Sequence, residues 1–360
     1  MRARLEDVCE RGSSNLRQAD VAGRSGDYPI YGASGYIGNV DFYHQELPYV
    51  AIVKDGAGIG RTALLPAKSS VIGTMQYLLP KKNVLPEYLC YVVRYMHLEK
   101  YFSGATIPHI YFRDYKSEEF NLVPVDYQEE IVATLGKIEA IVAARQRQLQ
   151  KLDELVKARF IELFGGIHNS NKYPYKPIQE LTDVISGGTP NRDVNEYWEC
   201  GTIPWVKTTE LQNNLIKEVD EYITEKGLNS SSAKLVPPGT VLIAMYGQGK
   251  TRGMTAYLNI EACTNQACAC ILPSDQINQT FLWKFLILSY DNLRGMAKGG
   301  NQPNLNGTII KNYPILYPPI ELQEQFAAFV EQTDKSKAVI QKALDEAQLL
   351  FDSLMQKYFG

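Results

Sequence analysis

The chain has 360 residues, of which 45% are apolar and 21% are charged, a composition typical of a globular rather than a disordered protein. No apolar run approaches the length of a membrane span and no signal peptide opens the sequence, so we expect a cytoplasmic protein without a membrane segment. The net charge of −3 argues against a uniformly basic nucleic-acid binder. Residues 319–360 carry −3, whereas residues 1–122 carry +1 and residues 165–318 carry zero. Any affinity for DNA must therefore come from local patches or from a basic partner.

The six cysteines form neither a metal-binding nor a disulfide pattern. Only Cys263, Cys268 and Cys270 cluster, and they lack a CxxC pair and a nearby histidine. Their alternation in EACTNQACACIL indicates a half-buried strand, in which cysteine acts as a small apolar residue.

The first segment of the chain contains a strand followed by a glycine-rich loop. The apolar run Val50–Val53 predicts a buried strand, and the loop KDGAGIGR follows it. The glycine spacing of this loop matches a dinucleotide fingerprint poorly. Its polar side chains are Lys54, Asp55 and Arg61. Residues 86–101 then show the apolar face of a helix.

A long helix follows the first segment. Its apolar residues recur at alternating spacings of four and three, which is the heptad pattern of a coiled coil. The predicted seam consists of Ile131, Leu135, Ile138, Val142, Leu149, Leu152 and Val156. Arg145 and Arg159 interrupt the pattern.

The second segment contains a loop that looks like a phosphate-binding loop, AMYGQGKTRG, after the apolar run Val241–Ile243. The phosphate-binding motif needs a glycine five residues before the Gly-Lys pair, and Ala244 occupies that position. Such a loop must also lead into a helix, because the helix N-terminus carries the anion-binding amides. No apolar-periodic helix follows here; the next predicted helix covers residues 280–296. An enzyme that uses this loop for phosphate chemistry is therefore a minor alternative.

The chain ends in a second long helix with the same heptad pattern. Its predicted seam residues are Val330, Ile340, Leu344, Phe351 and Leu354. Thr333 and Lys337 interrupt this seam.

The sequence is a tandem repeat. The stretch LVPVDYQEEI, which opens the first long helix, aligns with YPPIELQEQF, which opens the second, at an offset of 195 residues. Nearer the N-terminus the offset drifts to about 190, where Gly56 and Arg61 meet Gly247 and Arg252. In the same region TMQ and TNQ place Gln76 opposite another glutamine, which suggests a shared structural hydrogen bond at least as strongly as base reading.

The repeat predicts an α+β protein with pseudo-twofold symmetry. Two β-rich mixed domains, residues 1–122 and 166–318, are each followed by a long helix, residues 123–165 and 319–360. Two heptad helices in one chain favour an intramolecular antiparallel coiled coil over separate surface helices or a homodimeric zipper. A helix of about 36 residues spans roughly 54 Å, or about 16 base pairs of DNA.

The ordered motifs resemble those of the specificity subunit of type I restriction–modification enzymes, and the resemblance covers the whole chain. Its strongest carriers in the second segment are ISGGTP, EYW and GTIPWVKTTEL, followed by TNQ, GGNQPNL and PPIELQEQ. The first segment has the variant stretches DYPIYGASG and GATIPHI instead. Single motifs are moderately specific, but their order, repeated twice with two helices, is strongly specific.

The resemblance implies a non-catalytic reader of double-stranded DNA with a bipartite site. Each domain would read one half of the site, and the helices would set the gap and dock two methyltransferase subunits. Motor-nuclease subunits would join for restriction. Cofactors are expected only on partner chains, which would carry S-adenosylmethionine, ATP and Mg²⁺. In agreement, the sequence has no complete P-loop and no methyltransferase tetrad.

Candidate DNA-contacting residues lie in the loops that follow the strands, because glutamine can pair with adenine, and arginine or lysine with guanine. The first domain contributes Tyr31, Ser34, Lys54, Asp55 and Arg61. The second contributes Lys207, Thr208, Thr209, Tyr246, Gln248, Lys250, Arg252, Asn301, Gln302 and Asn304. The alternative without DNA contact is that the glycines only form tight turns and that the lysine and arginine side chains are only solvated. An interaction scaffold that binds no DNA also stays open, because both domains are close to neutral.

Overall fold

The computed structural model describes residues 1–56, 58–103, 108–247, 249–297 and 304–360. The chain forms two units: the first comprises Met1–Arg147 with Ile340–Gly360, and the second comprises Gln148–Val339. The N-terminal half of the first long helix and the C-terminal half of the second therefore belong to the first unit.

The first unit is built on short strands in three sheets. Its strands are β1 (Arg2–Arg4), β2 (Cys9–Ser13), β3 (Tyr28–Gly32), β4 (Gly35–Val40), β5 (Tyr49–Val53), β6 (Thr62–Leu65), β7 (Ser70–Val71), β8 (Met75–Pro80) and β9 (Glu119–Asn121). The main sheet is antiparallel with the order β2-β8-β5-β6, a second sheet has the order β4-β3-β7, and β1 pairs with β9. The helices are α1 (Leu5–Val8), α2 (Gln18–Val21), α3 (Pro86–Tyr95) and α4 (Phe112–Tyr115), with a 3₁₀ turn at Leu98–Tyr101.

Strand β5 reads as a continuous apolar run because both of its faces are buried. Val50 and Ile52 point into the core that contains α3, whereas Tyr49, Ala51 and Val53 point into the cluster on the opposite face. All five residues are at most 3% exposed. The predicted buried strand is thus confirmed, and it fixes the start of the loop that follows.

The second unit repeats this plan with one additional strand in its main sheet. Its strands are β10 (Tyr175–Pro177), β11 (Val184–Ser186), β12 (Ile203–Val206), β13 (Asn214–Ile216), β14 (Glu221–Ile223), β15 (Val241–Ala244), β16 (Thr255–Leu258), β17 (Cys263–Thr264), β18 (Cys268–Ile271) and β19 (Pro314–Leu316). The sheets have the orders β11-β18-β15-β16-β13, β14-β12-β17 and β10-β19. The helices are α6 (Glu225–Asn229), α7 (Gln279–Leu288), α8 (Tyr290–Gly295) and α9 (Gly307–Lys311), with 3₁₀ turns at Ile178–Glu180, Asn195–Tyr197 and Thr208–Glu210.

Two local predictions are corrected in the second unit. The cysteine-rich stretch is not one half-buried strand but two fully buried ones, β17 and β18, because the chain passes from the sheet of β12 to the sheet of β15. The helix predicted over residues 280–296 is α7 and α8, separated at Ser289. The hydroxyl of Ser289 donates to the carbonyl oxygen of Phe285 at 2.7 Å, which is a local bond that competes with helix continuation.

The first unit shows a comparable break. Helix α3 ends at Tyr95, and His97 adopts a left-handed conformation with φ of 50° before the 3₁₀ turn. The helix predicted over residues 86–101 is therefore shorter than its apolar face suggested, because a left-handed residue ends the helical hydrogen-bond pattern.

The long helices are α5 (Val125–Phe164) and α10 (Ile320–Phe359), each of 40 residues. In the first unit, the beginning of α5 packs against the end of α10, where Ile131 and Leu135 share a core with Phe351 and Phe359. The second unit has the reverse pairing: near the end of α5, Phe160 shares a core with Phe326 and Val330 from the beginning of α10. The predicted antiparallel pairing is confirmed.

Burial along the predicted seam is strongest near the helix ends. Ile131, Leu135, Ile138, Val156, Val330 and Phe351 are buried. The seam residues Val142, Leu149, Leu152, Ile340, Leu344 and Leu354 are only half-buried. In the second unit an aromatic cluster joins the two helices to the domain; its members are Phe160, Phe164, Phe281, Phe285 and Phe326, all 0% exposed.

Polar residues that interrupt the second seam have partners in the second unit. Lys337 forms ion pairs with Asp153 on α5 and with Asp334, the latter at 3.7 Å. Lys284 on α7 reaches Asp334 at 3.2 Å, and its side chain is only 12% exposed. Burial lowers the pKa of Lys284, although Asp334 opposes that shift. The four charges balance, which explains how lysine is tolerated in an apolar seam.

A buried glutamine joins each long helix to its globular unit. The side-chain carbonyl of Gln128 accepts from the amide of Leu85, just before α3, at 2.9 Å. The equivalent Gln323 accepts from the amide of Asn278, just before α7, also at 2.9 Å. Both glutamines are at most 1% exposed. The repeat at an offset of 195 residues is thus a repeat of the same helix-to-helix joint.

Candidate nucleic-acid interface

Both candidate loops connect antiparallel strands as β-hairpins. The first joins β5 to β6 and is closed by the amide of Gly60, which donates to the carbonyl of Val53 at 2.9 Å. The second joins β15 to β16 and is closed by the amide of Gly253, which donates to the carbonyl of Ala244 at 2.8 Å. Because a strand follows each loop, neither loop presents the helix N-terminus that phosphate binding requires.

A second shared bond anchors each loop to a later segment of its unit. The amide of Ile110 donates to the carbonyl of Lys54, and the amide of Leu305 donates to the carbonyl of Met245, both at 3.0 Å. The candidate Asn304 precedes Leu305 and is half-buried. The candidates Asn301 and Gln302 lie outside the described residues.

The loop of the second unit presents polar and aromatic side chains to solvent. Tyr246 is 42% exposed, Lys250 is exposed and Arg252 is half-buried. Gly249 and Gly253 have φ values of 60° and 85°, a backbone conformation that favours glycine. The candidate Gln248 lies outside the described residues. The glycines therefore shape a hairpin loop whose exposed side chains can contact a ligand.

Helix α8 holds the backbone of this loop. The guanidinium of Arg294 donates to three loop carbonyls, those of Gly249 at 2.8 Å, Lys250 at 3.3 Å and Arg252 at 2.6 Å. The hydroxyl of Tyr290 donates to the carbonyl of Lys250 at 2.7 Å. These bonds join the loop to a helix that lies about 40 residues later in the sequence.

The loop of the first unit is held by its own side chains. Asp55 bonds to the Nδ1 atom of His109 at 2.6 Å, and Lys54 lies 3.9 Å from the Asp55 carboxylate. Arg61 donates to the carbonyl of Gly58 at 3.2 Å and to the carbonyl of Ala33 at 2.9 Å. Arg61 thereby connects the loop to the turn between β3 and β4, where the other first-unit candidates lie.

Tyr31 and Ser34 lie on either side of Ala33, Tyr31 near the end of β3 and Ser34 in the turn. Tyr31 is half-buried in β3, its ring packs edge-on against Tyr36 at 6.0 Å, and burial raises its pKa. Ser34 is exposed. The structure thus brings the turn and the loop of the first unit together through Arg61.

Three further candidates of the second unit follow β12 in a 3₁₀ turn. Lys207 is 3.0 Å from Glu221 and 3.4 Å from Asp220, and its hydrogen bond to Glu221 raises its pKa. The hydroxyl of Thr208 accepts from the Asn265 amide at 3.4 Å, and Thr209 is exposed. The charge of Lys207 is already compensated by two carboxylates, so it attracts phosphate less than an unpaired lysine would.

The second-unit opening motif serves packing. The indole of Trp205 is 2% exposed and donates to the carbonyl of Gly188 at 3.0 Å. A Cβ atom added to Gly188 would lie 2.3 Å from the amide nitrogen of Ala233, so only glycine fits there. The guanidinium of Arg192 stacks on Trp198 at 3.6 Å and pairs with Glu221 at 2.5 Å.

Several contacts of these loops carried no signal in the sequence. Arg294 and Tyr290 belong to a helical pattern that predicts only an apolar face. The proposed equivalence of Gln76 and Gln266 is wrong: Gln76 is buried in β8, whereas Gln266 is exposed before β18 and bonds to the Thr189 hydroxyl. The repeat alignment slips there because the two units differ in length between equivalent strands.

Two absences concern only the part of the chain that the structure describes. Within it, no three His, Cys, Asp or Glu side chains gather as metal ligands. Within the same ranges, no helix combines the length and apolarity needed to cross a membrane.

Comparison with known proteins agrees with this architecture. The sequence model of the family described as "Type I restriction modification DNA specificity domain" matches residues 1–154 and 171–348. A type I restriction enzyme specificity subunit of Escherichia coli is 24% identical over 58% of this chain and 52% of its own length. One from Methanocaldococcus jannaschii is 30% identical over 44% of this chain and 37% of its own length. The matched regions thus span about half or less of these relatives.

A solved structure shows the same fold over the whole chain. The S subunit of a type I restriction–modification system from M. genitalium superimposes with a TM-score of 0.63 at 15% identity, covering 100% of this chain and 96% of that one. The family model matches two copies of the domain in this chain, and together the two matches cover most of its residues. The chain belongs to the family of type I restriction–modification DNA specificity subunits.

Proposed function

We propose that this chain is the non-catalytic subunit that selects the DNA site of a type I restriction–modification complex, and that its two domains, residues 1–122 and 166–318, each read one half of a bipartite duplex. The observation that carries the proposal is the duplicated hairpin loop. In both units the loop follows the central buried strand of the main sheet. One hydrogen bond then anchors each loop to an equivalent later segment of its own unit. Exposed polar side chains on a fixed backbone suit base reading, because readout needs donors and acceptors at defined positions.

The candidates differ in how well they are placed for DNA contact. Lys250 and Tyr246 are exposed on a braced loop, so we assign them the main contacts of the second half-site. In the first unit, Ser34 and Lys54 lie on the two segments that Arg61 connects. Lys207 contributes less, because its ion pairs with Asp220 and Glu221 must be weakened first.

The paired helices α5 and α10 would set the gap between the half-sites and dock two methyltransferase subunits, with motor-nuclease subunits joining for restriction. S-adenosylmethionine, ATP and Mg²⁺ would then act on those partner chains. Several apolar side chains on these helices support docking, because they are exposed: Ile141 at 48%, Val339 at 71% and Leu349 at 72%.

The test is selection of bound duplexes from a random-sequence pool by the full chain assembled with its methyltransferase subunits. We expect two short conserved blocks separated by a gap of fixed length and free sequence. A single continuous block, or no enrichment at low salt, contradicts the proposal and favours the scaffold alternative.

The variant Lys250→Ala then tests modularity. If Lys250 reads a base, we expect about a tenfold loss of discrimination in one block, since each good base contact is worth about 1–3 kcal/mol of discrimination. The matched control is Lys217→Ala, an exposed lysine of the same unit outside the loop, which should leave both blocks unchanged. Equal loss in both blocks would refute the modular reading.

A further inference from the structure

The hairpin loop of the second unit is glycine-rich, and such a loop has a high conformational entropy unless other groups fix it. Gly249 and Gly253 adopt positive φ values, and Gly247 has a φ of 139°. Glycine reaches these conformations without steric cost but also leaves them readily. Ordering such a backbone on binding would weaken affinity, since each residue fixed costs free energy.

Arg294 removes this freedom from within the free protein. Its Nη1 atom donates to the carbonyls of Lys250 and Arg252, and its Nη2 atom donates to the carbonyl of Gly249. The same Nη1 lies 3.0 Å from the hydroxyl of Tyr290, which itself donates to Lys250. One guanidinium therefore spans the loop from residue 249 to residue 252, as only its planar fork of donors allows.

The side chain of Arg294 also packs against the loop backbone. A Cβ atom added to Gly253 would lie 3.0 Å from the Cγ atom of Arg294. The aliphatic stem thus lies directly on the last glycine of the loop while the head binds the carbonyls. The first unit has no comparable contact among its described residues: there Arg61, inside the loop, and the Asp55–His109 pair hold the backbone.

We infer that Arg294 is a positioning residue for the second half-site: it fixes the loop so that Tyr246 and Lys250 face the duplex, and it does so without contacting DNA itself. The inference rests on the proposed function. It assigns the second half-site a dependence on α8 that the first half-site lacks.

The first test needs no DNA. Hydrogen exchange is measured in the full chain for wild type, Arg294→Ala and Arg294→Lys at the amides of Gly253 and Met254, which donate to the carbonyls of Ala244 and Thr251. We expect both variants to exchange about tenfold faster in this loop, because lysine offers a single point of donors instead of a fork. Loop exchange that stays at the wild-type rate in Arg294→Ala overturns the inference, whatever happens with DNA.

The second test uses the duplex that wild type selects, with either block scrambled, and the chain in complex with its methyltransferase subunits. We expect Arg294→Ala and Arg294→Lys to lose about tenfold in discrimination of the second block, the cost of ordering roughly one loop residue. Discrimination of the first block in the same molecules should stay unchanged, which shows that the variants fold.

The salt dependence of binding separates positioning from direct contact. Lys250→Ala should reduce the slope of log affinity against log salt by about 0.9 if Lys250 contacts one phosphate. Arg294→Ala should leave that slope unchanged. A reduced slope in Arg294→Ala, restored by Arg294→Lys, would show a phosphate contact and overturn the inference. If wild type selects no split duplex, the proposed function fails, even where the exchange result shows that Arg294 fixes the loop.

Discussion

Replacing the buried glutamine at the start of each long helix should loosen the helix-to-domain joint of one unit at a time. Gln128 makes three hydrogen bonds: it accepts from the amide of Leu85 at 2.9 Å and donates to the carbonyls of Asn83 at 3.0 Å and Val123 at 2.8 Å. Leucine at this position keeps the volume but removes all three bonds. At about 1 kcal/mol for each bond, Gln128→Leu should destabilise the joint by about 3 kcal/mol.

Gln323 provides a matched comparison in the second unit. It accepts from the amide of Asn278 at 2.9 Å and donates to the carbonyl of Pro318 at 2.8 Å. With two bonds lost, Gln323→Leu should cost about 2 kcal/mol. The control is Gln150→Leu, because Gln150 is exposed on α5 and donates to Glu154 one turn along the same helix.

Hydrogen exchange read by mass spectrometry resolves the two joints in one molecule. We expect Gln128→Leu to speed exchange in α3 by about a hundredfold, since 1.4 kcal/mol corresponds to a factor of ten, with little change in α7. Gln323→Leu should speed exchange in α7 by about thirtyfold, with little change in α3. If either variant affects α3 and α7 equally, or if neither exceeds Gln150→Leu, then these bonds do not anchor the helices separately.

Three further predictions address packing, charge and thiol reactivity. Phe160→Ala should lower the free energy of unfolding by about 3–5 kcal/mol in a denaturant titration, whereas half-buried Leu149→Ala should cost about 1–2 kcal/mol; equal losses would contradict an aromatic anchor. Burial lowers the pKa of Lys284 in the folded protein below its ordinary 10.5. At a pH between the lowered pKa and the ordinary one, the unfolded chain therefore binds more protons than the folded protein. The stability of wild type should therefore rise with pH across that window relative to Lys284→Met, and a falling difference would refute the sign. Iodoacetamide should add one label, at the exposed Cys200, because the other five cysteines are buried; intact-mass measurement of a second label on native protein would count against this burial.

Much of the architecture could be predicted from local patterns. The strand β5 and its counterpart β15 appear as apolar runs because both of their faces are buried, and the heptad positions of α5 and α10 appear because one stripe of each helix is covered. Residues that align at the repeat offset of 195 are also structurally equivalent, since Gln128 and Gln323 accept equivalent hydrogen bonds. These features depend on burial that recurs with a fixed period, so the sequence displays them.

The limits of helices and strands depended on contacts that a periodic pattern does not show. The apolar face of residues 86–101 continues past the end of α3, but His97 turns into the left-handed region and ends it. The cysteine alternation runs through β17 and β18, but the chain changes sheets between them. In both cases the apolar pattern of the side chains continues, whereas the hydrogen bonding of the backbone changes.

The sequence by itself determined the duplication, the paired heptad helices and the family resemblance, because each is written in the order and spacing of residues along the chain. The tertiary structure alone decided what holds each candidate loop. His109 meets Asp55 across 54 residues, and Arg294 meets the carbonyl of Gly249 across 45. Contacts between residues so far apart leave no periodic trace, and the carbonyl that Arg294 binds is a group common to every residue. The loop AMYGQGKTRG thus shows its glycines in the sequence, but only the fold shows the arginine that fixes them.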